Sequence, residues 1–303
     1  MSVLRKPRKR PTAMVSAAVA VTFLLPACSS APPSTPIAVS PLTNALPDAH
    51  VHGLSADPAS GQLLLATHEG LFDVTSSAAV KVGPINDLMG YATAGERGVL
   101  FASGHPGPGT AAPDPLGLIK STDGGKTWQP LSRQGESDFH ALTVTGSGLV
   151  AFDSTLRTST DGTSWKVVGV DFHPAALAGH PGSGIVLATA QDGLRRSTDA
   201  GATWTKVPGS PVIQFAAFAS VQTAVGAAPD GVVYRSDDGG ATWKAAGKPT
   251  GPVQAVAANQ SSDGKLRIWV ATAQGLEVSA DGGQTFSAYD PAGAGPGSPA
   301  VTR

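Results

Sequence analysis

The sequence predicts an all-β fold, a six-bladed β-propeller of four-stranded antiparallel blades, and two observations predict it. One phrase recurs five times: STDGGKTW from Ser121, STDGTSW from Ser159, STDAGATW from Ser197, SDDGGATW from Ser236 and SADGGQTF from Ser279. Its closing aromatics, Trp128, Trp165, Trp204, Trp243 and Phe286, are 37, 39, 39 and 43 residues apart. That period is long enough for one four-stranded sheet per repeat.

The phrase has a mechanical reading. Its Asp accepts hydrogen bonds from the backbone ahead of it, the glycines supply positive φ, and Thr-Trp resumes an extended strand. Short β-rich runs flank it, GLIKST before the turn and TWQPLS after it. An EF-hand is excluded because no bidentate glutamate follows at the required spacing. STDGTSW lacks one glycine and should make a turn one residue shorter. The first blade carries no such turn, yet HVHGLSADPASGQLLLATHEGLF from His50 aligns with HPAALAGHPGSGIVLATAQDGLRRS from His173. The blades then begin near His50, Asp87, Asp138, His173, Val212 and Val253. A seventh blade would need roughly 40 more residues, which neither low-complexity end supplies.

These repeats resemble the BNR or Asp-box repeat, S-x-D-x-G-x-T-W, of sialidases, sortilin-type receptors and photosystem II stability factor-like proteins. Exported chains of this appearance are also similar to glycosyl hydrolase-like lipoproteins. The resemblance spans about residues 48–290 and implies a propeller scaffold. It says little about activity, because these families share the turn while differing in what they bind or cleave.

The N-terminus reads as an export signal over residues 1–27. Arg5, Lys6, Arg8, Lys9 and Arg10 precede an apolar stretch from Ala13 to Leu25, and Leu25-Pro26-Ala27-Cys28 follows. A small residue before the only cysteine resembles a bacterial lipobox, which implies lipidation of Cys28, a membrane anchor, and a protein held on the outer face of the cell membrane. A single cysteine excludes an intramolecular disulfide. Residues 28–49 are rich in Ser and Pro and read as a spacer, residues 50–289 as the propeller, and residues 290–303 as a low-complexity, disordered tail. Without the five basic residues of the signal, 16 basic groups face 22 acidic ones. An acidic domain with no basic stripe argues against nucleic acid as partner.

The chemistry-bearing residues gather on one face. Strand alternation and internal alignment place His52, Met89 and His140 at the start of inner strands, with His50, Asp87 and Asp138 two residues earlier on the same side. His68 and His105 take equivalent positions at the end of second strands. Glu69 follows one, and the long loop PGPGTAAPDP follows the other. These groups either satisfy inner-strand backbone, line a pocket for a polar ligand or sugar, or hold a metal. In the last case His52, His68, His105 and His140 are the candidate ligands, for zinc or copper, with Met89 as a soft donor.

An enzyme reading must find catalytic residues. The resemblance to sialidases would imply an arginine triad and a tyrosine nucleophile, but Arg157, Arg195, Arg196 and Arg235 lie beside Asp-boxes on outer strands, and only three tyrosines exist. Another glycosidase needs only two carboxylates roughly 5–10 Å apart, for which Glu69, Asp87 and Asp138 are candidates. No G-x-S-x-G elbow is present. The expectation is a binding module for a protein, glycan or metal at the His/Asp-rich channel mouth, with an envelope component as partner; glycoside hydrolysis from the same face is the alternative.

Overall fold

A computed structural model describes residues 46–261 and 263–292. The expected signal, the expected lipidation site at Cys28 and most of the spacer and tail lie outside the described residues. Among the described residues there are 24 strands and no helix, and hence no helix long and apolar enough to cross a membrane.

The strands form six four-stranded antiparallel sheets, each made of four consecutive strands. The first comprises β1 (Val51–Ala56), β2 (Leu63–Thr67), β3 (Gly70–Asp73) and β4 (Val80–Val82). The second comprises β5 (Asp87–Thr93), β6 (Leu100–His105), β7 (Leu118–Ser121) and β8 (Gln129–Ser132). The third runs through β9 (Ala141–Thr145), β10 (Gly148–Phe152), β11 (Leu156–Ser159) and β12 (Lys166–Val167). The fourth has β13 (Ala176–Gly179), β14 (Val186–Ala190), β15 (Gly193–Ser197) and β16 (Thr205–Lys206). The fifth has β17 (Phe215–Phe218), β18 (Ala224–Ala227), β19 (Val233–Ser236) and β20 (Lys244–Ala245). The sixth ends the ring with β21 (Val253–Gln260), β22 (Leu266–Thr272), β23 (Gly275–Ser279) and β24 (Ser287–Ala288).

The first strand of each blade packs against the first strands of its two neighbours, and β1 meets β21, so the ring closes. No blade borrows a strand from another. Closure rests on an apolar seam in which Val51, Leu54 and Leu65 meet Ala257, Trp269 and Leu276. Tyr289 adds a hydrogen bond from its hydroxyl to the Thr75 carbonyl, at 3.0 Å. Leu46, expected in the spacer, packs against this same seam. Comparable clusters fill the other blade interfaces, for instance Leu64 and Ala66 against Leu88 and Leu100. Burying these apolar faces between blades supplies the main driving force for the fold.

The five repeated turns lie between third and fourth strands and are built alike. In the first, Ser121 is buried and its Oγ accepts the N–H of Gly125 at 2.8 Å, while the hydroxyl donates to Asp123 Oδ1 at 2.8 Å. Asp123 in turn accepts the Thr127 N–H at 2.9 Å and the Thr127 hydroxyl at 2.6 Å. Gly125 has φ +89°, and a Cβ there would run into the Leu71 side chain of the preceding blade. The glycine thus permits both the turn and the blade contact. The shorter repeat closes one residue earlier, with the Gly162 N–H on Ser159 Oγ at 2.8 Å.

Candidate functional site

The box turns and the turns from first to second strand share one side of the ring, as the bond from the Gly124 N–H to the Gly98 carbonyl at 2.9 Å shows. The starts of the inner strands and the turns from second to third strand are on the other side. His50, His52, His68, Asp87, His105, Asp138 and His140 all belong to that second side.

Local backbone features aim them. A β-bulge between Val51 and Gly53 displaces His52 from the β1–β2 ladder, and the matching irregularity between Asp87 and Gly90 contains Met89. Bulges of this kind re-aim side chains next to binding sites. His68 sits in a turn held by Thr67, whose Oγ1 accepts the Glu69 N–H at 3.0 Å and donates to the Gly70 carbonyl at 2.9 Å. Asp87 pairs directly with His105 across β5 and β6. Gly104, beside His105, has φ +143°, and any Cβ there would strike the Asp87 carbonyl. Between Asp138 and His140, Phe139 is fully buried and donates its N–H to Ser103 Oγ at 2.9 Å. That anchor leaves both its neighbours at the rim.

The side chains divide into two groups. In the first, the rings of His50, His52 and His68 have centroids 4.4–5.3 Å apart and meet edge-on or tilted rather than stacked. Their ligand nitrogens all fall within 4.8 Å of one another. His68 donates Nδ1–H to Asp87 Oδ2 at 2.7 Å, His50 Nδ1 faces His52 Nε2 at 3.5 Å, and His52 Nε2 stands 3.9 Å from Asp87 Oδ1. In the second, His105 bridges Asp114 Oδ1 at 2.6 Å and Asp138 Oδ2 at 3.2 Å, and His140 Nε2 lies 3.3 Å from the same Asp138 oxygen. The four histidines expected as one ligand set are therefore shared between two groups. His52 and His68 join His50 near Asp87; His105 and His140 sit around Asp138.

The two groups differ electrostatically. Burial, with the neighbouring His68 and His50, lowers the pKa of His52 to about 4, so its ring is neutral at pH 7. His105 moves the other way, raised first by its hydrogen bond to Asp114, against a smaller effect of burial. Two carboxylate oxygens, Asp87 Oδ1 and Asp138 Oδ1, are buried without a hydrogen-bond partner among the described residues.

Other expected site residues stand apart. Glu69 is exposed on the β2–β3 turn and belongs to neither group, and Met89 is half-buried in its bulge. His173, at the start of the fourth blade, packs edge-on against Phe152, with centroids 6.0 Å apart. The arginines named as box neighbours are engaged locally: Arg157 with Asp153, Arg195 with Asp192, Arg196 with the Gly239 carbonyl and Arg235 with Asp237. Asp114 was not among the sequence candidates. Its only signal was the length of the β6–β7 loop that returns it to His105.

Cavities also lie elsewhere among the described residues. One, about 1060 Å³, is on the box side between the first two blades, where Gln62, Asp73, Lys81, Arg97 and Lys126 line it. The channel end opposite the histidines holds about 330 Å³, lined mainly by small apolar inner-strand residues such as Ala56, Ala92 and Ala257. The histidine face is where titratable side chains are drawn together across blade boundaries, so we place the candidate site there.

The BNR/Asp-box repeat family profile matches residues 119–130 and 234–245. A search of curated protein sequences gave no match. Among solved structures, a GH74 enzyme from Niastella koreensis is 17% identical, with a TM-score of 0.53 over 80% of this chain and 38% of that one. The extracellular domain of the hybrid two component system BT4673 from B. thetaiotaomicron is 11% identical, with a TM-score of 0.53 over 81% of this chain and 34% of that one. The chain thus spans little more than a third of either structure, and identities this low bear on the fold alone. Repeated turns, blade count and structural neighbours agree: the chain is a six-bladed β-propeller built on BNR/Asp-box repeats.

Proposed function

We propose that the protein is an exported lipoprotein, held at the outer face of the membrane through Cys28, whose propeller is a non-catalytic binding module. Its ligand contacts are the imidazoles and carboxylates of the histidine mouth. The observation that carries this reading is the pair of buried, unpartnered oxygens on Asp87 and Asp138. A buried carboxylate oxygen without a donor is costly, and native folds retain such groups chiefly where something else satisfies them. The signal and lipobox pattern support the location.

Glycoside hydrolysis is supported less well. It needs one carboxyl that is protonated and another free to attack or activate water. Here each aspartate is engaged by imidazoles, and Glu69 stands outside both groups. The likeness to a GH74 enzyme concerns the fold alone.

Histidine footprinting tests the binding reading. Diethyl pyrocarbonate should modify His50, His68, His105 and His140 more slowly on intact cells than in the purified, chelator-treated full chain. The exposed His173, outside the group, should react at equal rates in both and serves as the control. Equal rates at the mouth would sink the binding reading. Turnover of an aryl glycoside that disappears in Asp87→Asn would replace it with the hydrolase.

A further inference from the structure

Within the mouth, the Asp87 group has the form of a transition-metal site. We propose that one divalent first-row ion, zinc or copper, is bound there by His50, His52 and His68, with Asp87 orienting His68 and balancing the charge. This inference rests on the reading of the mouth as a binding surface, and it revises the ligand set that blade alignment alone suggested.

Three observations support it. The first is the facing of His50 Nδ1 and His52 Nε2 at 3.5 Å. That is long for a hydrogen bond, but close to the edge of a tetrahedron with metal–nitrogen bonds near 2.0–2.1 Å, about 3.3 Å. The second is the Asp87–His68 bond of 2.7 Å at Nδ1. It leaves His68 Nε2 as the lone-pair nitrogen, the arrangement by which a carboxylate sets the tautomer and orientation of a metal-bound histidine. The third is Asp87 Oδ1, buried, unpartnered and 3.9 Å from His52 Nε2. A cation beside His52 would meet its charge. The largest separation among the ligand nitrogens, 4.8 Å, exceeds what three bonds to one ion allow, so closure requires ring rotation. His50 precedes β1 and is exposed, and the His68 side chain is 44% exposed, so both have room to turn.

Donor chemistry narrows the ion. Imidazole nitrogens with one carboxylate suit zinc and copper and are poor hosts for calcium or magnesium, which take oxygen ligands. The Asp138 group lacks this character, because both nitrogens of His105 face carboxylates. It is a network of ion pairs beside the metal site.

The test uses the full chain in detergent, stripped with chelator and titrated with zinc chloride or copper chloride by calorimetry. One ion per chain is expected. Affinity should fall at least about 100-fold in His52→Ala and about 10–100-fold in Asp87→Asn, the range typical of an outer-shell partner. His173→Ala and Cys28→Ser, both outside the mouth, should stay within about threefold of wild type. In the copper form, electron paramagnetic resonance should show one fewer coupled nitrogen in His50→Ala, a surface substitution outside any strand. Absence of stoichiometric uptake of both ions, or uptake that survives the His50→Ala/His52→Ala double substitution, overturns the proposal. Protection of the mouth histidines on cells without such uptake would keep the binding reading and remove the metal; uptake without protection would do the reverse.

Discussion

On the box side of the ring, Asp123 receives the Thr127 N–H, the Thr127 hydroxyl and the Ser121 hydroxyl, all from within four residues of itself. On the histidine side, Asp87 receives His68 from the neighbouring blade, and Asp138 receives His105 from another. The first aspartate has its oxygens taken up by its own turn, and those bonds, led by the Thr127 hydroxyl, lower its pKa to about 2. The other two are held across blade boundaries by titratable rings, and each keeps one buried oxygen without a partner. The same residue type thus closes a turn where its donors are local and gathers titratable rings from neighbouring blades where they are distant, the arrangement we propose as a binding surface. Local bonding is why the box turn can be repeated five times without creating five sites.

The contrast breaks most visibly in stability. Ser121→Ala would leave the buried Gly125 N–H without its acceptor and remove the donor to Asp123, an expected cost of about 1–3 kcal/mol. Asp87→Asn keeps shape and partial hydrogen bonding at a partly exposed site and should change stability by less than about 1 kcal/mol. Chemical denaturation of both variants, with metal removed by chelator, makes the comparison. Equal losses would mean that the mouth aspartate is structural after all.

A smaller effect separates the two groups within the mouth. His52 has a folded pKa of about 4 against an ordinary 6.5. Between these values the unfolded chain binds a proton that the folded chain does not, so stability falls as pH drops from 6.5 towards 4 and then levels off. With partial solvent access allowed for, the change is on the order of 1–2 kcal/mol. The raised pKa of His105 acts in the opposite sense: its contribution is complete below the unfolded value and is lost as pH rises through the folded one. His50, His68, Asp87 and His140 all act on His52, so the shape of the slope belongs to the group. Denaturation midpoints measured from pH 4 to 7 without metal should show a shallower acid slope in His52→Ala but not in His105→Ala, the remainder coming from groups such as His180, whose pKa burial also lowers. An unchanged slope in His52→Ala would show that its ring is not held neutral.

The fold was legible because its signal is local and repeated. Ser121, Asp123 and Gly125 specify a turn through bonds inside seven residues, and five such turns at blade spacing leave few architectures open. Alternation along a strand was enough to assign His50, His52 and His140 to one face. Strand register predicted the equivalence of His68 and His105, but not their separate partners. Those depend on where the β6–β7 loop places Asp114 and on the bulge that turns His52 towards His50, neither of which leaves a periodic trace. Glu69 shows the converse limit, since adjacency to His68 in sequence put it on the mouth's side but not in the group.

The smallest expected effect returns to the box side. Ala200 occupies the position that Gly124, Gly239 and Gly282 fill in other repeats, and it holds φ +56° where they hold +76°, +68° and +77°. A left-handed conformation costs a residue with Cβ roughly 1–2 kcal/mol relative to glycine. Part of that advantage is offset because glycine gives the unfolded chain more freedom. Ala200→Gly should therefore stabilise the protein by about 0.5 kcal/mol, read as a small rise in denaturation midpoint, and leave metal uptake at the mouth unchanged. A loss of stability would mean that the Ala200 methyl group makes packing contacts that outweigh its backbone strain. A change in metal uptake would mean that the two faces are coupled through the fourth blade, and that the local bonding of the box does not isolate it from the site.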